Sequence, residues 1–326
     1  METVKLGVAG VGHFGRFHAL KAAAAERAQL IGVFDRDPER ARSVGWEAGA
    51  PPLPLEELIA AADAIIVATP AEAHYAIAAQ AIRAGRHVLI EKPIASTLEE
   101  ADSLAALARE HDVVLQVGHL ERFSAAHGAV STRMGKPLYL EAVRVAPFKP
   151  RGTDVSVILD LMIHDLDLIL ALVDAPIESV DAVGAAVASA YEDIANARVR
   201  FTNGCVATIT ASRISLKTER RMRIFAQSGY LAVDFAGRKL TAIVRGQGGF
   251  PVPGMPDFSV KEMAWEDHDS LAAEHEAFYA SVLDGAPVLV DAGAGRRALA
   301  AAIAVKEAMD RSHALVTASG LFNPAE

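Results

Sequence analysis

The stretch LDLMIHDLDLIL (159–170) sets Asp160, His164, Asp165 and Asp167 into an otherwise aliphatic run. Histidine is neutral yet basic near pH 7, so it can take a hydroxyl proton and return it. A carboxylate one turn away can orient an imidazole or a polar substrate, or join it on a divalent ion. Read as an α-helix with Asp160 at zero, the run puts His164 at roughly 40° and Asp167 at roughly 340°. These three share a narrow stripe, and Asp165 falls apart from it at roughly 140°. Met162, Ile163, Leu166, Ile169 and Leu170 fill the other side, and Leu161 and Leu168 flank the stripe. A solvated face would be broader and would carry lysine, arginine or glutamate. A thin polar stripe on a mostly buried helix describes the wall of a cleft. Asp167 has the alternative of an internal cap or ion pair. No second histidine or acid cluster is placed to complete a coordination sphere, so no metal is expected.

A second chemical signal lies at the start of the chain. VAGVGHFGRFHAL holds Gly10, Gly12 and Gly15 in G-x-G-x-x-G spacing, with His13 and Phe14 inside it. The motif follows an apolar strand and opens a helix, and Asp35 stands 20 residues after Gly15 at the end of a second strand. In that context the glycines serve a tight turn, close approach of a pyrophosphate and helix–strand packing. An acid at Asp35 would accept from a ribose 2′-hydroxyl and repel a 2′-phosphate, which favours NAD. Arg36 follows directly and keeps NADP as an alternative. No further segment of the kind a flavin needs is apparent.

The elements that must hold these residues have two different periods. Up to about residue 120, short apolar runs (5–10, 30–35, 64–69, 87–92 and 113–118) alternate with helical stretches such as 71–84 and 97–111. Continuously apolar strands joined by crossover helices predict a doubly wound parallel sheet. Beyond it, a helix-like segment (120–134) precedes a strand-like one (138–148) and then alternating runs such as ANARVRF and VATITAS. Asn203-Gly204 and Ser228-Gly229 read as hairpin turns. Two helices close the chain, at about 267–284 and 293–312. The expected fold is therefore α/β: a Rossmann domain over 1–119, and over 120–326 an α+β domain for substrate binding and oligomerisation, with an open, mostly antiparallel sheet.

The 326 residues exceed what one core usually serves. A net charge of -9 argues against general nucleic-acid binding. Cys205 is the only cysteine, which rules out an intrachain disulfide and a multi-cysteine zinc site. No secretory signal or membrane-length apolar run is read, so a cytoplasmic location is expected.

Two stretches add a family resemblance. VATPAEAHYAIAAQAIRAGRHVLIEKPIA (67–95) contains strand-Thr-Pro, a histidine, an alanine-rich helix, GRHVL and EKP in that order. With the aspartate-to-histidine spacing of LDLMIHDLDL, the glycine fingerprint and the open sheet, it resembles the Gfo/Idh/MocA oxidoreductases over nearly the whole chain. The resemblance implies that Glu91, Lys92 and Pro93 end a strand of the nucleotide domain, with Lys92 near nicotinamide and the reacting hydroxyl and the proline bond often cis. It sets Asp160 and His164 across the cleft and lines the cofactor with Thr69, Pro70, His74 and Glu91. His74 has the alternative of packing at a helix start. The implied reaction oxidises a secondary alcohol. His164 would be the proton acceptor, Lys92 would stabilise the alkoxide or share the base role, and Asp160 would orient.

VGHLERFSAA (117–126) and FKPRGTDVSVILDLMIHDLDLIL resemble branches acting on nucleotide-linked amino sugars. This implies oxidation of the 3-hydroxyl of UDP-N-acetylglucosamine, a precursor step towards a 3-amino sugar of lipid A. His119 comes with that resemblance. Arg122, Arg144, Lys149, Arg151 and Arg213 fall near segments bordering the cleft and suit a diphosphate. The alternatives are a dehydrogenase of a free polyol or monosaccharide, or a non-catalytic NAD(P)-binding redox sensor. An apolar sheet face left uncovered would be buried in a homodimer or homotetramer.

Overall fold

The computed structural model describes residues 2–131, 135–149, 155–227, 229–245, 250–252, 255–266 and 268–319. Packing divides the chain into two compact units, Met1–Ser124 with Asp269–Leu299, and Ala125–His268 with Ala300–Glu326. These differ from the continuous blocks 1–119 and 120–326 mainly because residues 269–299 rejoin the first unit.

In the first unit, β1 (Val4–Ala9), β2 (Ala28–Phe34), β3 (Ala64–Val67), β4 (His87–Glu91) and β5 (Leu115–Gly118) form a parallel sheet of order β2-β1-β3-β4-β5. Every residue of β3 is buried, as expected for a strand covered on both faces. The crossovers are α1 (His13–Ala24), α2 (Pro38–Ala48), α3 (Leu55–Ala61), α4 (Ala71–Arg83) and α5 (Leu98–Glu110). Their ends are written locally. Asp37 caps α2 by accepting from the amides of Glu39 and Arg40, and Gly49 ends it at φ 69. Thr97 and Glu100 form a capping box on α5. The strand order reverses between β1 and β3, so the ligand crevice of such a sheet lies at their carboxyl ends.

In the second unit, the expected helix over 120–134 is a 3-10 turn at Leu120–Phe123 and, within this unit, a short α6 (Ala125–Ser131). The sheet contains β6 (Pro137–Val145), β7 (Ile177–Ala185), β8 (Ile194–Phe201), β9 (Val206–Ser212), β10 (Glu219–Ala226), β11 (Gly229–Asp234), β12 (Lys239–Arg245), β13 (Phe250–Val252) and β14 (Met255–Ala264). Their order is β13-β14-β12-β11-β10-β6-β9-β8-β7. Only the β6–β9 pairing among these is parallel. The Asn203-Gly204 hairpin joins β8 to β9, with Gly204 at φ 87. Ser228 lies outside the described residues.

The sheet is covered on one face, where Ala195, Ala197, Val199 and Phe201 of β8 are buried. The other face is not the apolar one expected. It carries Asn196 bonded to Thr210, the Arg223–Glu141 ion pair, and an aromatic row in which Phe225 pairs across the strands with Tyr139 and Tyr230. α7 (Ile163–Val173) is preceded by a π-helical turn, Ile158–Met162.

Two helices follow the sheet. α8 (Ser270–Asp284) packs in the first unit, where Phe278 and Tyr279 are fully buried with Val4, Leu6 and Val8. α9 (Ala292–Ala318) ends the described chain. Among the described residues no helix is long and apolar enough to cross a membrane.

Candidate active site

The glycine turn is shaped as its spacing predicts. Gly10 adopts φ 85, and a Cβ there would meet Thr69 N at 2.6 Å. At Gly15 a Cβ would sit 1.8 Å from Gly10 O, so α1 can approach β1 only because this residue has no side chain. Beside Gly12 there is open space, and α1 has no acid in its first turn. Unopposed amides beside open space fit a pyrophosphate. Phe14 is exposed and His13 packs edge-on against Phe17.

A cleft of about 550 Å³ runs from this turn past Asp35, Arg36, Thr69 and Pro70. Asp35 is fixed by Val11 N on Oδ2 and Asp37 N on Oδ1, each donating at 2.9 Å. A carboxylate held this way, with Asp37 nearby, fits a ribose diol and opposes a 2′-phosphate. Arg40, absent from the sequence-based set, also lines the cleft and pairs with Asp35 at 3.3 Å. Its position one helical turn into α2 was the available signal.

The carboxyl ends of β4 and β5 carry Glu91, Lys92 and His119. Glu91 pairs with Gly118 across the strands, and a Cβ at Gly118 would press on the Glu91 carboxyl at 3.0 Å. The Lys92–Pro93 bond is cis. His74 does not open onto the cleft. It is 1% exposed, and its ring nitrogens lie 2.8 Å from the carbonyls of Pro93 and Thr69. The ring bridges the turns after β3 and β4; burial lowers its pKa and the two carbonyls oppose that shift. His119 is 1% exposed, with no hydrogen-bond partner at either ring nitrogen among the described residues. Burial, reinforced by Lys92 and Arg122, brings its pKa down to about 3. It is therefore a neutral donor and acceptor at working pH.

Behind Glu91 lies a buried network that sequence reasoning missed. His18 Nε2 is 2.8 Å from Glu91 Oε1, His18 Nδ1 is 2.8 Å from His275 Nε2, and His275 Nδ1 is 3.0 Å from Tyr279 Oη. The backbone amide of Lys92 donates to Glu91 Oε2 at 3.2 Å. Burial holds His275 well below the usual histidine range and pushes the Tyr279 phenol up. With Glu91 ionised the chain runs in one direction: Tyr279 donates to His275, His275 to His18, and His18 to the Glu91 carboxylate. Glu274 completes the group. His18, Glu91 and Glu274 are the one set of metal-type donors gathered among the described residues, within 4.8 Å of one another. Both nitrogens of His18 are engaged, so the set is wired as hydrogen bonds. No sequence signal joins residues 18, 91 and 274–279, because each lies on a different element.

In the second unit the single stripe is revised. The π-turn breaks the helical angle between Asp160 and His164, yet these two remain part-exposed while Asp167 is buried. Asp165 is buried too, where it accepts from Arg144 Nε at 2.8 Å and a terminal nitrogen at 3.0 Å. Arg144, expected at a substrate diphosphate, is thus committed to an internal pair. Arg213 is likewise held, by Asp193, Ser189 and the carbonyl of Val155. Lys149 is exposed and Arg122 part-buried. Arg151 lies outside the described residues.

A parallel sheet with a pyrophosphate turn, in one chain with a wide, mostly antiparallel sheet, is the make-up of a dinucleotide-dependent oxidoreductase. The chain belongs to the Gfo/Idh/MocA oxidoreductases: residues 4–119 match the family's NAD-binding Rossmann fold and residues 129–232 its C-terminal domain. It is 45% identical over 315 residues to UDP-N-acetylglucosamine 3-dehydrogenase of Acidithiobacillus ferrooxidans, covering 95% of this chain and 98% of that one. A solved structure of that dehydrogenase superposes with a TM-score of 0.90 at 44% identity, over 95% of this chain and 99% of the other. Scyllo-inositol 2-dehydrogenase (NAD(+)) of Bacillus subtilis is 26% identical, covering 88% of this chain and 89% of its own.

Proposed function

We propose that this protein oxidises the 3-hydroxyl of UDP-N-acetylglucosamine, or of a closely related nucleotide sugar, with NAD as oxidant. Whole-length similarity to the Acidithiobacillus ferrooxidans enzyme carries the reading. The inositol dehydrogenases, which would favour a free polyol, are more distant.

NAD would be held by Gly10, Gly12, His13, Phe14, Gly15 and Asp35, with Thr69, Pro70 and Glu91 beside it. When bound, it accepts the hydrogen of the carbinol carbon with its electron pair. The chain moves the proton. Lys92 Nζ donates to the 3-oxygen and stabilises the charge that grows there, and His164 takes the hydroxyl proton. Asp160 orients the sugar or the imidazole. Neutral His119 offers the substrate a hydrogen bond and serves neither as acid nor as base. Arg122, Lys149 and Arg151 are the cations proposed for the diphosphate. The ketone would then be aminated towards a lipid A precursor, in the cytoplasm. We infer a homodimer or homotetramer through the open sheet face, with the Tyr139, Phe225 and Tyr230 row at its centre.

The test is reduction of NAD and NADP by purified protein with UDP-N-acetylglucosamine, other UDP-sugars, free N-acetylglucosamine and myo-inositol. The expected result is a kcat/KM for UDP-N-acetylglucosamine with NAD roughly 100-fold above that for any free sugar or polyol. Turnover of inositol but of no UDP-sugar would overturn the substrate. His164→Ala is expected to lower kcat by roughly 100-fold or more with NAD affinity retained. An unchanged rate would remove its role and favour a redox sensor.

A further inference from the structure

Glu274 is a buried carboxyl that the proposed reaction does not use. It is fully inaccessible to solvent, and among the described residues neither of its oxygens has a hydrogen-bond partner. Its carboxyl comes within 4.8 Å of those of Glu91 and the ring of His18. The charged and titratable groups on the elements packed around it are Lys5 on β1, His13, Arg16, His18 and Lys21 on α1, Glu91 and Lys92 at the end of β4, His119, Glu121 and Arg122 at the 3-10 turn, and His275, Glu276, Tyr279 and Asp284 on α8 itself. Lys21 is drawn off by Asp269. Both ring nitrogens of His18 are engaged, with Glu91 and His275, and no described residue donates a hydrogen bond to either Glu274 oxygen, so no donor is seated on a second anion.

We propose that Glu274 is a positioning residue for Lys92: it holds a proton behind the Glu91 carboxylate, so that the Glu91-Lys92-Pro93 turn is backed by one buried negative charge rather than two. Two unbalanced carboxylates this close in a dry interior would repel. Glu91 would be displaced, and Lys92 with it, since the Lys92 amide is bonded to Glu91 Oε2. Burial, reinforced by Glu91, raises the Glu274 pKa well above the carboxylate range, in keeping with the neutral form. The inference rests on Lys92 being the catalytic lysine.

Two readouts test it. The infrared spectrum of the intact protein at neutral pH is expected to show a protonated-carboxyl stretch that disappears in Glu274→Gln. Absence of that band from the wild type overturns the proposal, because Glu274 is then ionised and balanced by a cation. In turnover, Glu274→Ala, which leaves a cavity where the neutral carboxyl packs behind Glu91, is expected to lower kcat about tenfold with little change in KM for NAD. Glu274→Gln, neutral and of equal size, is expected to recover most of that loss and to move the alkaline limb of kcat to higher pH. If Glu274→Gln is as impaired as Glu274→Ala, or Glu274→Ala is unimpaired, positioning by a held proton is wrong. The infrared band needs no substrate, so it separates failure of this proposal from failure of the substrate reading.

Discussion

At the scale of single residues, Asp35 shows how much a few hydrogen bonds decide. Two backbone amides hold its carboxylate at the lip of the cofactor cleft. Asp35→Ala is expected to raise KM for NAD roughly tenfold and to narrow the preference over NADP, as measured by kcat/KM with each. Glu274 makes a stability statement as well. Its folded pKa lies above the unfolded one, so the folded chain keeps a proton that the unfolded chain loses above the ordinary carboxylate range. Wild-type stability should therefore fall with rising pH through that window, by about 1.4 kcal/mol per unit from this group alone. Urea unfolding of Glu274→Gln across pH should show a shallower decline. Gly10, Gly12, Gly15 and Asp35 were legible because their meaning lies in local spacing. His18, Glu274 and His275 were not, nor was the tie of Glu91 to them, because their meaning lies in a meeting of three separate elements.

At the scale of elements, the strands and crossover helices of the first unit were readable from uninterrupted apolar runs. The polar helix of the second unit was only half readable. Helical angles separated Asp165 from His164 correctly, but the π-turn at Ile158–Met162 has no signature in an aliphatic run. The Arg144–Asp165 pair also escaped, since a strand arginine looks the same facing a substrate or a helix. This pair fastens α7 to β6 in the interior. Arg144→Ala is expected to cost about 3–5 kcal/mol in chemical denaturation by leaving Asp165 charged and buried. The double change Arg144→Met with Asp165→Leu should be less damaging than Arg144→Ala alone. A loss below about 1 kcal/mol for the single variant would contradict an internal role for the pair.

At the scale of the whole molecule, the first compact unit is not continuous in sequence. Phe278 and Tyr279 fill its core, and Glu274 and, through His18, His275 stand behind Glu91 at the end of β4. A fragment of residues 1–124 is expected to remain unfolded or aggregate. The same fragment joined by a flexible linker to residues 269–299 is expected to give cooperative thermal unfolding by circular dichroism. A cooperative fold for 1–124 alone would show α8 to be dispensable.

The placement of α8 also bears on how the protein is made. Chains leave the ribosome from the N-terminus, and early domains usually fold as they emerge. Here the nucleotide unit must wait: its sheet is synthesised first, but the helix that closes its core follows the whole second sheet. Until residue 284 has cleared the exit tunnel, the early sheet carries an uncovered apolar face. The second unit must therefore be laid down while the first is still unfinished, and the lysine turn gains its backing only after the whole second sheet has been made.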